Sequence, residues 1–441
     1  MESLSKMVKK ITKIFKKDAE NIGRETKFKQ RDSKLTPEAF LTSFVIGQLV
    51  NAESTLEDIC ALLYEHYKVN VTKQGLEQRF NEPCIAFIKS IFKNLLNCFA
   101  TDNLKMPEIL KQFTKVKLLD SSVISLPETL SDVFPGFGGA ASKSSLRVQA
   151  LFDLTSNDIS NIDLTAATKN DQGYKGYLEH IEKGALLLQD LGYFDLNSFN
   201  EIIKKEAYFI SRFKSNINTY HYESTDNTGY AEFDLISYLK NNENEGILSF
   251  NARIGTTNLL PVRFIARLVP EEVYQERLRK ARKEKKQKQI KESTLYLYRW
   301  DIYITNIPDD MISDKNIFIV YKLRWQIELL FKLSKSQAGI DKVAGRKQPR
   351  IICEMYAKLI LVTLVLYLTK ADILDEKPEI SLTKAFKKLK TYGSDFIKAL
   401  KSEYLLKKLL HNVIEIFSKT ALKEHKRKKR RTSFQLLEAL I

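Results

Sequence analysis

One carboxylate in this chain, Glu328, stands among cations and aromatics at helical spacing. Glu328 lies in the stretch Ile317 to Ile340, IFIVYKLRWQIELLFKLSKSQAGI, which has no proline and no glycine before Gly339. The pattern predicts one helix. At about 100° per residue, Tyr321, Arg324, Glu328 and Lys335 return to nearly one heading, with Trp325 and Lys332 along the same stripe. Val320, Leu323, Ile327, Leu330 and Phe331 supply the apolar side that docks such a helix on a core. As a plain surface, Arg324 and Glu328 form an i,i+4 ion pair worth about a few tenths of a kcal/mol. As a site, the stripe sets one carboxylate among three cations and two aromatics.

Two further carboxylates end apolar runs. Asp120 follows Val116-Lys117-Leu118-Leu119, and Asp190 follows Ala185-Leu186-Leu187-Leu188-Gln189. Such runs predict buried strands that deliver an aspartate at their carboxyl ends. An aspartate there is also a common turn or cap residue. Asp153, inside Ala150-Leu151-Phe152-Asp153-Leu154, is a rival for the place of Asp120. The loop Phe134 to Ser145, with Gly136, Gly138 and Gly139, lacks the G-K-[ST] ending of a phosphate-binding loop and reads as a hairpin connection.

If a fold brought Asp120, Asp190 and Glu328 together, as a family resemblance of the stretch around Glu328 implies, a chemical consequence would follow. At about 4 Å and an effective dielectric near 20, each carboxylate pair repels by roughly 4 kcal/mol, so the cluster needs a cation or raised pKa values. Three hard oxygen ligands select Mg2+ or Mn2+ rather than zinc. Two such ions can activate water or a 3′-hydroxyl and stabilise the leaving oxygen of an in-line phosphodiester displacement. Tyr321, Arg324 and Lys335 would then hold phosphates.

The spacing Tyr-x2-Arg-x3-Glu-x6-Lys resembles the YREK signature of the cut-and-paste bacterial transposases of insertion-sequence family four. The likeness covers roughly residues 115 to 340. It implies a ribonuclease-H-like catalytic domain in which Asp120, Asp190 and Glu328 are the catalytic, metal-binding Asp-Asp-Glu triad, with two Mg2+ or Mn2+ ions as cofactors. It also implies DNA contacts through Tyr321, Arg324, Lys332 and Lys335. Trp300, 21 residues before Tyr321, matches a family tryptophan that stacks on a base flipped out during hairpin formation; beside a strand, a tryptophan is also ordinary core.

The implied function is a DNA transposase that cleaves at the ends of its own insertion sequence, forms a hairpin intermediate and transfers strands into target DNA. The partners are then double-stranded DNA, as terminal inverted repeats and target, and a second copy of the chain in the synaptic complex. Alternatives are a nuclease of the same fold without strand transfer, or a non-catalytic, domesticated DNA-binding protein. Against the last, binding DNA does not require three carboxylates facing it.

Composition agrees with a polyanionic partner. Lys and Arg number 71 against 54 Asp and Glu, a formal charge of +17, and 441 residues with 44% hydrophobic content suffice for several packed regions. Anionic lipid attracts basic segments too. However, Leu359 to Thr369, the uncharged part of the apolar stretch Ile351 to Thr369, is eleven residues long, short of the roughly twenty that cross a bilayer; a core helix and no membrane partner are expected. Cys60, Cys84, Cys98 and Cys353 are far apart, which indicates neither a disulfide framework nor a zinc site. Lysines interrupt every apolar pair from Met7 to Phe15, so no secretory leader is read there. The expected compartment is the bacterial cytoplasm, at the nucleoid.

The elements that must position the carboxylates follow in order. Residues 3 to 17 predict an amphipathic basic helix, for DNA, lipid or its own core, and Asn21 to Ser33 a polar link. Thr36-Pro37-Glu38 opens a helical region. Within it, Ser54 to about Tyr67 and Lys73 to Phe80 form a candidate helix-turn-helix presenting Lys73, Gln74, Gln78 and Arg79. β-like alternation over 207 to 270 places a mainly β insertion between the second and third carboxylates. A charged run at 271 to 291 reads as a solvated helix, and Lys426 to Arg431 is an unbroken basic run suited to phosphates. The expected fold class is α/β (α+β): a ribonuclease-H-like mixed-sheet core interrupted by a mainly β insertion, with helical N-terminal and C-terminal regions. The expected boundaries are 1–105, helical and DNA-binding; 106–206, core; 207–294, insertion with basic helix; 295–370, core with the signature helix; and 371–441, helical and basic.

Overall fold

The computed structural model describes residues 2–99, 106–138, 142–226, 229–257, 259–284, 292–374 and 380–423. The strands are β1 (Val116–Ser125), β2 (Ser145–Asp153), β3 (Asp158–Ala166), β4 (Leu186–Gln189), β5 (Tyr208–Arg212), β6 (Thr219–Asp226), β7 (Gly229–Glu232), β8 (Ile247–Ile254), β9 (Leu260–Leu268) and β10 (Trp300–Thr305). Two compact units divide them. The first holds the described residues of Met1–Lys105, Ser121–Lys169 and Ile327–Arg430; the second holds those of Met106–Asp120 and Asn170–Gln326.

In the first unit the N-terminal region is helical and packs with later segments of the chain. It shares a core with the C-terminal helices. Helix Gln348–Leu368 is buried along nearly its whole length, and aromatic pairs fasten Glu82–Phe99 to it: Phe92 against Tyr356 at 5.7 Å and Phe99 stacked on Tyr367 at 3.7 Å. Among the described residues this is the one helix long and apolar enough to cross a membrane, yet 94% of its apolar window is buried inside the protein. The first helix, Leu4–Lys13, turns Leu4, Met7, Val8 and Ile11 inward, so its apolar stripe serves its own core. Thr36 caps Pro37–Val50 by accepting from the Ala39 N–H at 3.1 Å. β2 pairs antiparallel with β3 and neighbours β1, whose residues Ser121–Ser125 belong to this unit.

In the second unit the strand order is β1-β4-β5-β10-β9-β8-β6-β7. The β1, β4 and β5 strands run parallel, while β10 and the strands beyond it pair antiparallel. The fold is therefore the expected mixed α/β type with a large mixed sheet. Its β region is less separate than the alternation implied. β5, at the start of the expected insertion, extends the parallel set, and β10 joins it to β9 and β8. The charged run folds as helix Glu271–Glu284, tethered by Arg277, which donates to the carbonyls of Tyr298 and Trp300 at 3.1 Å and pairs with Asp301 at 2.5 Å. Residues 285–291 of that run, and the basic run Lys426 to Arg431, lie outside the described residues.

Candidate active site

The two aspartates are placed by strand register. β1 and β4 pair from Val116↔Leu186 through Leu119↔Gln189, so Asp120 and Asp190 come next, side by side, where the parallel pairing stops. Neighbouring strands lie about 5 Å apart. β1 itself continues to Ser125, so Asp120 sits inside a strand rather than just past one, as the apolar run alone had implied. Asp190 precedes the short turn Leu191–Tyr193 without capping it through its side chain. Its carboxylate is thus not consumed by the turn-residue role that its position also allowed. Both residues are half-buried.

The single signature helix expected over Ile317 to Ile340 is two helices, Asp314–Lys322 and Trp325–Ser336. No proline or glycine causes the break. The chain tightens there by bonds three residues back: Leu323 N–H to Val320 O at 3.0 Å, Arg324 N–H to Tyr321 O at 3.1 Å and Gln326 N–H to Leu323 O at 3.0 Å. Tyr321 and Arg324 therefore precede the helix that carries Glu328 and Lys335.

What the break accompanies is specific. Arg324 Nη1 lies 3.1 Å from Asp120 Oδ2, with side chains 16% and 18% exposed. Tyr321, 6% exposed, donates its hydroxyl to the carbonyl of Gln189 at 3.1 Å, the residue before Asp190. Its ring packs 4.6 Å from Tyr303. Burial pushes the Tyr321 phenol well above the usual tyrosine range, and the nearby Tyr303 and Asp190 add to this while Arg324 opposes it. Tyr321 is thus a buried donor to backbone.

Glu328 is half-exposed in the first turn of Trp325–Ser336, where the helix dipole favours a carboxylate. In the first unit this helix buries Ile327, Leu330 and Leu333. Lys335 reaches the carbonyl of Val123 on β1 at 2.9 Å, and Lys332 points to solvent. Trp300, expected to stack on an extruded base, is 3% exposed at the start of β10. A ring packed in the sheet has no face open to a base, so the core reading applies to it; the exposed tryptophan is Trp325, at 48%. Asp153 is buried and accepts from the N–H and hydroxyl of Thr155 at 2.9 and 2.6 Å, a local turn-closing role.

Among the described residues no three His, Cys, Asp or Glu side chains form a metal-holding group. Asp120 and Asp190 nevertheless suit a hard divalent ion. Two carboxylates end on neighbouring strands, and one already carries a cation, the Arg324 guanidinium.

The N-terminal region of the first unit holds a second feature. Helix Leu56–Tyr67 starts on a full capping box between Thr55 and Asp58, but the following helix, Lys73–Glu77, is five residues long, shorter than predicted. Lys73 is occupied with Glu57 at 3.0 Å. Gln78 and Arg79 instead line a groove of about 650 Å³ whose other wall is Lys27, Lys29, Arg31 and Lys34. That wall comes from the segment read as a polar link. The signal in the sequence was its repeated cation every two to three positions, from Lys27 to Lys34.

Comparison with known proteins is consistent across the chain. Residues 111–364 match the family model described as Transposase DDE domain. A transposase for insertion sequence element IS1151 of Clostridium perfringens is 30% identical over all of this chain and 97% of its own length. A transposase for insertion sequence element IS231F of Bacillus thuringiensis subsp. israelensis is 28% identical over 95% of this chain and 91% of its own. Among solved structures, a piggyBac transposase synaptic complex with hairpin DNA aligns at a TM-score of 0.47 and 9% identity, covering 96% of this chain and 86% of that one.

Proposed function

Because the chain belongs to the DDE-domain transposase family, an enzyme family of DNA transposition, we propose that it cuts its own insertion sequence out at the terminal inverted repeats and joins the ends to target DNA. The observation that carries this reading is the placement of Asp120 beside Asp190 at the end of the β1–β4 pairing. Such a pair, completed by Glu328 as third carboxylate, fits Mg2+ or Mn2+. Two bound ions would supply activation of water or a 3′-hydroxyl and stabilisation of the leaving oxygen.

The chain's own residues then have distinct tasks. Asp120, Asp190 and Glu328 hold the ions. Tyr321, through Gln189, fixes the backbone that presents Asp190. Arg324, Lys332 and Lys335 neutralise phosphates of the end being cut, and the groove of Lys27, Arg31, Lys34 and Arg79 holds duplex backbone. A hairpin intermediate, a homodimeric synaptic complex and work at the nucleoid complete the proposal.

The test uses purified full-length protein, Mg2+ and a linear DNA carrying the sequences that flank the gene. Expected products are a nick at each element end, then excised element, then joined target. Nicking without joining would reduce the function to a nuclease. No cleavage at any sequence by a folded protein would leave DNA binding alone.

A further inference from the structure

Arg324 reaches Asp120 from an unusual place. It stands in the two-residue turn between helices Asp314–Lys322 and Trp325–Ser336, in a stretch where the sequence has no helix breaker. Its neighbours are fastened: Tyr321, three residues earlier, is bonded to Gln189 at the end of β4, and the guanidinium lies 6.0 Å from the Tyr321 ring centroid. The bond at Tyr321 ties this stretch of backbone to the end of β4, and it is a long side chain that meets Asp120.

The pair answers an electrostatic need. Two carboxylates at neighbouring positions on adjacent chain segments repel each other in the absence of a cation, and a guanidinium on Asp120 offsets that repulsion. The same bond sets up a competition. A guanidinium and a divalent ion on one carboxylate repel each other, and an arginine engaged with Asp120 cannot give both arms of its fork to a phosphate.

We propose that Arg324 is a counter-ion latch. In the metal-free protein it occupies the cation position on Asp120, and when Asp120 takes up a divalent ion it lets go, which frees the guanidinium for a phosphate of the DNA. Metal loading and DNA gripping are thereby coupled within one side chain. Linkage requires the coupling to be reciprocal, so DNA must tighten metal binding by the factor by which metal tightens DNA binding. The proposal rests on the reading of Asp120 as a metal ligand.

The experiment is an Mn2+ titration of full-length protein followed by electron paramagnetic resonance, with thermal melts alongside, for wild type, Arg324→Gln and Arg324→Lys. Without a competitor, Arg324→Gln should bind Mn2+ about tenfold more tightly, a typical size for such couplings. Its metal-free melt should fall below wild type, and Mn2+ should narrow the gap. Affinity for a duplex lacking the element's ends should rise with Mn2+ in wild type and stay level in Arg324→Gln. Unchanged or weaker Mn2+ binding by a cooperatively melting Arg324→Gln protein overturns the latch. Should that variant fail to fold, Arg324→Lys decides: its single ammonium lacks the fork, so a few-fold tighter Mn2+ binding supports the proposal and no change overturns it. Failure of wild type itself to bind Mn2+ would remove the metal reading and the latch with it.

Discussion

Two clusters of buried charge differ in whether they are closed. At the start of helix Gln348–Leu368, Glu354 is fully buried and bonded to Arg350 Nε at 2.8 Å and to the N–H groups of Ala344 and Gly345 at 3.0 and 3.3 Å. Lys358, one turn on, donates to the carbonyl of Lys342. Their partners belong to the same folded unit, and no part of the set is open to a ligand. At the end of the β1–β4 pairing, Asp120 and Asp190 stay half-exposed, and Arg324 balances one of them. A closed cluster holds a fold together; an open one can exchange a protein cation for another.

The largest expected effect breaks that contrast if it fails. Asp190→Ala should lower end cleavage at least about a thousandfold, which is roughly 4 kcal/mol of lost transition-state stabilisation, while the melting temperature stays near wild type. Glu354→Ala should do the opposite. Leaving Arg350 and Lys358 without their buried carboxylate should cost on the order of 3–5 kcal/mol of stability. A Glu354→Ala protein that melts like wild type would show that burial does not separate the two clusters.

The pH dependence sharpens the closed side. Burial depresses Lys358 from 10.5 to about 8, against the opposing pull of Glu354, while burial raises the Glu354 carboxyl. Between pH 8 and 10.5 the unfolded chain therefore keeps a proton that the folded chain has released, and unfolding free energy rises with pH across that window. At about 1.4 kcal/mol per unit, the gain relative to Lys358→Met is on the order of 3 kcal/mol, measured by denaturant titration at each pH. A flat difference between the two proteins would place Lys358 in contact with water.

How much of this was legible in advance follows from what each signal depends on. The strand-then-aspartate runs located Asp120 and Asp190 because a buried parallel strand needs continuous apolar residues whatever its neighbours, and the cap at Thr36 is local chemistry. The break at Leu323–Arg324 was not legible. Nothing in Ile317 to Ile340 disfavours helix, and the ion pair to Asp120 spans 204 positions in sequence. Trp300 shows the same limit, since burial at a strand end and exposure for stacking draw on one residue type. The union of the N-terminal and C-terminal helices into one core depended on aromatic pairs, such as Phe99 with Tyr367, that no local window contains.

On the open side, Lys335 tests whether the residues beyond the helix break still act on DNA. Its ammonium rests on the carbonyl of Val123, a bond whose loss should cost no more than about 1 kcal/mol. If that bond only braces the helix, Lys335→Ala lowers the melt slightly and leaves cleavage alone. If Lys335 also meets a phosphate of the end being cut, misplacing the scissile bond by about 1 Å can cost on the order of a hundredfold in rate. Single-turnover cleavage with saturating protein reads the difference, and a rate within twofold of wild type removes Lys335 from the site.

The smallest effect concerns charges that are neither closed nor catalytic. Arg79 lines the basic groove, whereas Lys73, on the neighbouring helix, is paired with Glu57 in the open, both side chains being more than half exposed. Removing a phosphate contact should reduce the slope of log K against log salt by about 0.9 on duplex DNA. Arg79→Ala is therefore expected to flatten the slope by about one unit and to weaken binding alike across sequences, with cleavage of saturated DNA unchanged. Lys73→Ala should alter the slope less, because its ammonium already has a carboxylate partner that must be released before it can meet DNA. Filter binding at four salt concentrations on two unrelated duplexes separates the cases. Equal slopes for Arg79→Ala and wild type would show that the groove does not touch the backbone, and a sequence-dependent loss would make Arg79 a reader of bases rather than a phosphate contact.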